Sequence, residues 1–163
     1  MLIKGIVDTD FTNYKEISMF ISTAKCNWKC CTELGVDISM CQNSSLAQAK
    51  TYDISTDEIF RRYISNPITK AVVVGGLEPI LQFDDIFELI QVFRENNIED
   101  DIVIYTGYYQ HEVEDFTIYE KIVSTYKNIV FKFGRYIPNQ SPHYDKELGV
   151  YLSSDNQKGV RVC

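Results

Sequence analysis

Ile17-Ser18-Met19-Phe20-Ile21-Ser22-Thr23 runs almost directly into Cys26-Asn27-Trp28-Lys29-Cys30-Cys31, and Cys41-Gln42-Asn43 follows ten residues later. In the first run Ile17, Met19 and Ile21 alternate with Ser18, Phe20 and Ser22, so both faces carry apolar character and the segment reads as a buried strand. Four of the five cysteines fall between Cys26 and Cys41. Thiols clustered this way point to metal or redox chemistry before they point to disulfides, and an odd count fits a disulfide framework poorly. A thiol-rich loop at the end of a strand is a common location for a site.

Working outward, Met1 to Val7 is expected to be a short strand and Asp8 to Lys15 a polar connection. Beyond the cysteine loop, Ser44 to Lys50 suits a helical turn. Ser55 and Glu58 are spaced as a capping box ahead of Ile59 and Phe60, which opens a helix that Asn66-Pro67 stops near Ser65. Ala71 to Val74 is a β-branched strand ending in Gly75-Gly76. Phe83 to Asn96 has Ile86, Leu89, Ile90 and Phe93 at helical spacing, with Asp84 and Asp85 in the first turn where the helix dipole favours them. Asp101 to Tyr105 is expected as a further strand, followed by Thr106-Gly107. His111 to Phe116 and Thr117 to Tyr126 read as helices, the second with Thr117 and Glu120 spaced for another capping box. Asn128 to Phe133 is a strand ending in Gly134-Arg135, and the Pro-, Asn- and Ser-rich tail contains a brief strand at Val150 to Leu152.

Strands alternating with helices imply βαβ units and a mainly parallel sheet. Ligands of such sheets gather outside the carboxyl ends of the strands. The cysteines, Gly75-Gly76, Thr106-Gly107 and Gly134-Arg135 all follow strands and are expected to converge on one face. The whole chain, residues 1–163, is expected to be one domain, since 163 residues suffice to bury roughly 70% of the unfolded surface.

The formal net charge of -7 argues against a nucleic-acid binder, which needs a basic face. No apolar run approaches the ~20 residues that span a bilayer, and Met1 to Val7 is too short and polar for a signal peptide. The expectation is a cytoplasmic protein with no membrane contact.

Three thiolates can hold three irons of a [4Fe-4S] cluster and leave the fourth open, whereas a protein that only moves electrons generally supplies four ligands. Four thiolates could instead fill a structural zinc site. The spacing Cys26-x3-Cys30, then Cys41-Gln42-Asn43, resembles the cluster loop of radical S-adenosylmethionine enzymes, above all the activating proteins of anaerobic ribonucleotide reductase. The likeness continues in Ser18 to Ser22, in Gly75-Gly76-Leu77-Glu78-Pro79, in Tyr105-Thr106-Gly107-Tyr108, in Gly134-Arg135-Tyr136 and in Ser153-Ser154-Asp155-Asn156-Gln157. Two departures stand out. Glu33 occupies the position of the family's third loop cysteine, which leaves Cys41 or the competing Cys31 as third ligand, and Leu77 interrupts the Gly-Gly-Glu-Pro motif.

The resemblance implies an incomplete, open (β/α) barrel and a [4Fe-4S] cluster held by Cys26, Cys30 and Cys41. It further implies S-adenosylmethionine bound near Met40, Gly75, Gly76, Glu78, Thr106, Gly107 and Lys132, with Lys132 or Arg135 pairing with the methionine carboxylate. The implied activity is that of a glycyl-radical-generating activase. Its implied partners are an anaerobic ribonucleotide reductase and a low-potential electron donor such as flavodoxin. Other readings are a radical enzyme with a different substrate, or a non-catalytic zinc or iron–sulfur module that docks onto a larger protein.

Overall fold

Residues with β-branched and aromatic side chains concentrate where the chain is covered on both sides, and there they form a central sheet. A computed structural model describes all 163 residues. The chain begins with β1 (Leu2–Asp10) and β2 (Ser18–Thr23), then α1 (Lys29–Leu34), a 3-10 turn (Ile38–Met40), α2 (Ser44–Gln48), β3 (Tyr52–Asp53) and α3 (Thr56–Ile64). It continues through β4 (Ala71–Gly76), a 3-10 turn (Pro79–Gln82), α4 (Phe83–Glu95), β5 (Asp101–Tyr105), α5 (Gln110–Glu114), α6 (Thr117–Thr125) and β6 (Ile129–Phe133). It ends with β7 (His143–Asp145), β8 (Val150–Leu152) and β9 (Lys158–Arg161).

Seven strands make one sheet in the order β3-β1-β2-β4-β5-β6-β9, while β7 and β8 form a separate hairpin. The four central strands are parallel, with Ile21 beside Val74, Val74 beside Ile104, and Ile104 beside Phe131. β1, β3 and β9 add antiparallel flanks. The α/β class and the parallel centre follow the expectation from sequence. β1 is longer than expected, because its polar end finds partners: Arg62 pairs with the Asp8 carboxylate, and Asn66 Nδ2 donates to the Asp8 carbonyl at 2.9 Å and to Thr9 Oγ1 at 2.8 Å.

One sheet face packs Met19, Ile21, Val72, Val74, Ile104 and Phe131 against Ile59 of α3 and Ile86, Leu89, Ile90 and Phe93 of α4. The opposite face buries Ala71, Val73, Val103 and Val130 beneath Tyr14, Leu148 and Leu152. That second cover comes from the β1–β2 connection and the tail.

Ser55 caps α3 as its spacing predicts, its hydroxyl accepting from the Glu58 N–H at 3.2 Å. The Thr117/Glu120 box does not form: Phe116 stands at the N-cap of α6 with no side-chain cap. The Glu112 carboxylate instead accepts from the Tyr109 N–H at 2.8 Å, at the start of α5. Within the cysteine loop, α1 opens at Trp28 (φ 58°) and closes at Gly35 (φ 63°), both left-handed. No helix is long and apolar enough to cross a membrane.

Candidate metal centre

Each central parallel strand delivers one loop to the same sheet end, and these loops enclose a cavity of about 330 Å³. Cys26, Cys30, Cys31 and Cys41 line it together with Met40, Gly76, Leu77, Glu78, Thr106, Gly107, Lys132 and Gly134. The convergence expected from sequence is therefore present.

Local backbone geometry orients the thiols. The left-handed Trp28 turns its N–H toward Cys26 Sγ at 3.3 Å, and the Asn43 N–H donates to Cys41 Sγ at 3.4 Å. The Tyr136 N–H lies beside Cys30. Hydrogen bonds to ligand sulfurs stabilise thiolates and tune iron–sulfur clusters. Burial pushes the Cys26 thiol up to about 11, and the nearby Glu78, Cys30 and Cys41 charges act in the same direction. Such a thiol keeps its proton at neutral pH until a metal displaces it. Burial also raises Cys30 and Cys31. No three His, Cys, Asp or Glu side chains stand close enough together to hold a single metal ion.

The Cys41 loop is pinned on both sides. Asn43 Nδ2 donates to the Gly76 carbonyl at 2.6 Å, and Gln42 Nε2 to Ser153 Oγ at 3.1 Å. Met40 is half exposed at the cavity wall.

Glu78 is buried. Thr106 Oγ1 and the Ile80 N–H donate to its Oε1 at 2.6 and 3.1 Å, and the Gly107 N–H donates to Oε2 at 2.9 Å. Burial raises its pKa against the pull of those donors and of Lys132. Leu77 does not displace it: the Leu77 N–H continues to the Thr23 carbonyl, and the Glu78 N–H donates to the Lys25 carbonyl at 2.7 Å. Lys132, also buried, is pushed down to about 8 by burial, with Glu78 and Cys30 opposing, and its Nζ donates to the Gly134 carbonyl at 2.8 Å.

The glycines have distinct reasons. Gly76 has φ +83°, and a Cβ there would stand 2.8 Å from Ser22 Cα, so its requirement comes from the neighbouring strand. Gly75 faces Phe20 and the Tyr105 Cβ and does not line the cavity. Gly107 carries the close approach at the site itself: a Cβ would stand 2.8 Å from Cys30 Sγ. Gly107→Ala is accordingly expected to retain the fold while losing most cluster iron, checked by circular dichroism and iron content after anaerobic reconstitution.

Arg135 is not available for a methionine carboxylate. It is buried, lies outside the cavity wall, and is already bonded to Glu33 and Glu112. Sequence reading missed this network. The one signal that could have found Glu112 was its position three residues after Tyr109, at a helix start. His111 and His143 do not line the cavity either.

The family model described as 4Fe-4S single cluster domain matches residues 16–158, a span that takes in all four loops. No curated protein matches the chain.

Proposed function

Because the chain belongs to the 4Fe-4S single cluster domain family, we propose that it is a radical S-adenosylmethionine enzyme, the glycyl-radical-generating activase of an anaerobic ribonucleotide reductase. The observation that carries the reading is the meeting of three thiols, each with a neighbouring backbone N–H, and the Glu78–Thr106–Gly107 turn in one cavity. The donor set fits the cluster: soft thiolates suit iron–sulfur ligation, and Gly107 leaves room for the Cys30 sulfur where any side chain would crowd it.

Cys26, Cys30 and Cys41 would hold three irons and leave one for the amino and carboxylate groups of S-adenosylmethionine. Such a cluster, once bound and reduced, would supply the single electron needed for reductive cleavage of S-adenosylmethionine, the chemistry from which a glycyl radical on the partner would follow. The chain's own residues position and shield. Glu78 fixes the Thr106–Gly107 turn against the cysteines, Lys132 offers the buried cation for the methionine carboxylate, and Met40 covers the adenosine side. Gly76 keeps its carbonyl on Asn43, which holds the Cys41 loop closed against β4. A cavity of about 330 Å³ lies at the small end of ligand sites, in keeping with a cofactor that fills it and a substrate presented from outside. The reading takes residues 1–163 as one open (β/α) barrel domain working in the cytoplasm with a low-potential donor such as flavodoxin.

The test is anaerobic incubation of cluster-loaded protein with a strong reductant and S-adenosylmethionine. Equal amounts of 5′-deoxyadenosine and methionine are expected, and a glycine-centred radical once the reductase is added. Cofactor that binds but is never cleaved, with several reductants, would turn the reading to a non-catalytic iron–sulfur docking module.

A further inference from the structure

Beside the cavity lies a group of charges that cofactor binding does not use. Arg135, 3% exposed at the end of β6, donates to the two carboxylate oxygens of Glu112 at 2.7 and 2.8 Å and to Glu33 Oε1 at 2.7 Å. Its guanidinium also stands over the Tyr109 ring, 4.6 Å from the centroid. Glu112 takes a further bond from Lys29 Nζ, whose ammonium lies 4.8 Å from the Tyr108 ring centroid. Lys29 and Glu33 both belong to α1, one residue before Cys30 and three after it. Ion pairs on successive turns therefore tie the cysteine-bearing helix to α5 and to the end of β6.

The same guanidinium holds the wall that Cys30 faces. Arg135 donates to the Gly107 carbonyl at 3.1 Å while Glu78 holds the Gly107 N–H at 2.9 Å, so the peptide units on both sides of Gly107 are fixed. Gly107 is the residue whose Cβ would collide with Cys30 Sγ. Arg135 thus reaches both the helix that carries Cys30 and the turn against which its sulfur rests. These four bonds, two of them bidentate on Glu112, suit the planar guanidinium fork; a lysine ammonium has only three donors.

We propose that Arg135, bridged to Glu33 and Glu112, is a positioning residue that docks α1 and sets the Cys30 thiol at the cavity wall before any cluster is inserted. The value of that setting for chemistry rests on the reading of Cys30 as a ligand; the docking itself does not. Glu33 occupies the place where the resembling enzymes carry their third loop thiol. In this chain that place holds an ion pair with Arg135, so no thiolate comes from position 33.

The experiment compares metal-free wild-type protein with Arg135→Gln and Glu33→Gln by amide hydrogen exchange. The reporters are the N–H groups of Thr32, Gly35 and Val36, which bond to Trp28, Thr32 and Cys31 carbonyls. Losing a partner from the Arg135 ion-pair network is expected to speed their exchange about tenfold to a hundredfold, with α4 unchanged. Glu33, at the more exposed end, keeps the test valid should Arg135→Gln fail to fold. After reconstitution both variants are expected to give an altered electron paramagnetic resonance spectrum of the reduced cluster, which a merely structural role would leave alone. Unchanged exchange in α1, equal acceleration in α4, or a wild-type spectrum overturns the proposal. Altered exchange and spectrum in a protein that never cleaves S-adenosylmethionine leaves the docking role standing and removes the proposed reaction.

Discussion

Cys41→Ala is expected to abolish a stable four-iron cluster, and Cys31→Ala to retain it. Both thiols line the cavity, so proximity does not separate them. Their surroundings do. Cys41 Sγ accepts the Asn43 N–H at 3.4 Å, Cys26 Sγ accepts the Trp28 N–H at 3.3 Å, and Cys30 has the Tyr136 N–H beside it. Cys31 is influenced by burial and by the charges of Cys41 and Asp37, with no such donor. Adjacent helical residues also diverge by about 100°, so Cys31 cannot share the direction that Cys30 takes toward Gly107. The Cys41 side is held by Asn43 on Gly76 and Gln42 on Ser153, which fixes the thiol without help from metal. Iron and sulfide content with the visible absorption of each reconstituted variant decides the matter. Cluster loss in Cys31→Ala with retention in Cys41→Ala would reverse the ligand assignment.

Glu78→Ala is expected to cause the largest loss of stability among single changes at the site. It strips three donors, Thr106 Oγ1 and the Ile80 and Gly107 N–H groups, of their acceptor and leaves Lys132 without its nearby opposite charge. Removing one member of a buried ionic network costs about 3–5 kcal/mol, against a total of about 5–15 kcal/mol for a typical domain. Glu78→Gln keeps the shape and one acceptor oxygen, so a smaller loss is expected, though its amide NH₂ then faces a donor. The pH dependence gives a separate check. A carboxyl whose folded pKa is raised contributes stability at low pH that is lost as pH rises through the folded value. Wild-type stability is therefore expected to fall above the ordinary glutamate range, and Glu78→Gln to lack that component. Urea unfolding midpoints of the metal-free proteins across acidic and neutral pH measure both effects. A Glu78→Ala midpoint equal to wild type would show that the turn does not depend on this carboxylate.

Much of this was legible because period and punctuation agree. Val72 and Val74, and Ile102 and Ile104, announce buried parallel strands, and Phe83 to Phe93 announces α4 by its spacing. The site was legible as a place, since every unusual loop follows a strand. Residues whose partners are remote in sequence were not legible. Arg135 meets Glu33 across 102 positions and Glu112 across 23, and no periodicity encodes such pairs. β9, Lys158–Arg161, has only four residues and owes its existence to the open edge of β6. The tail's polar composition concealed that Leu148 and Leu152 complete the second core. Gly76 was read for its place in a motif, whereas the contact that requires a glycine is with Ser22.

In the proposed enzyme, three thiolates of this chain would hold the cluster and leave one iron for S-adenosylmethionine. The most direct measurement is the Mössbauer spectrum of anaerobically reconstituted, isotopically enriched protein before and after the cofactor is added. The expected result is four irons per chain, with one of the four changing its isomer shift and quadrupole splitting on cofactor binding while three stay as they were. Four irons that all remain unchanged under saturating cofactor, or stoichiometric zinc in place of iron in protein isolated without oxygen, would contradict it.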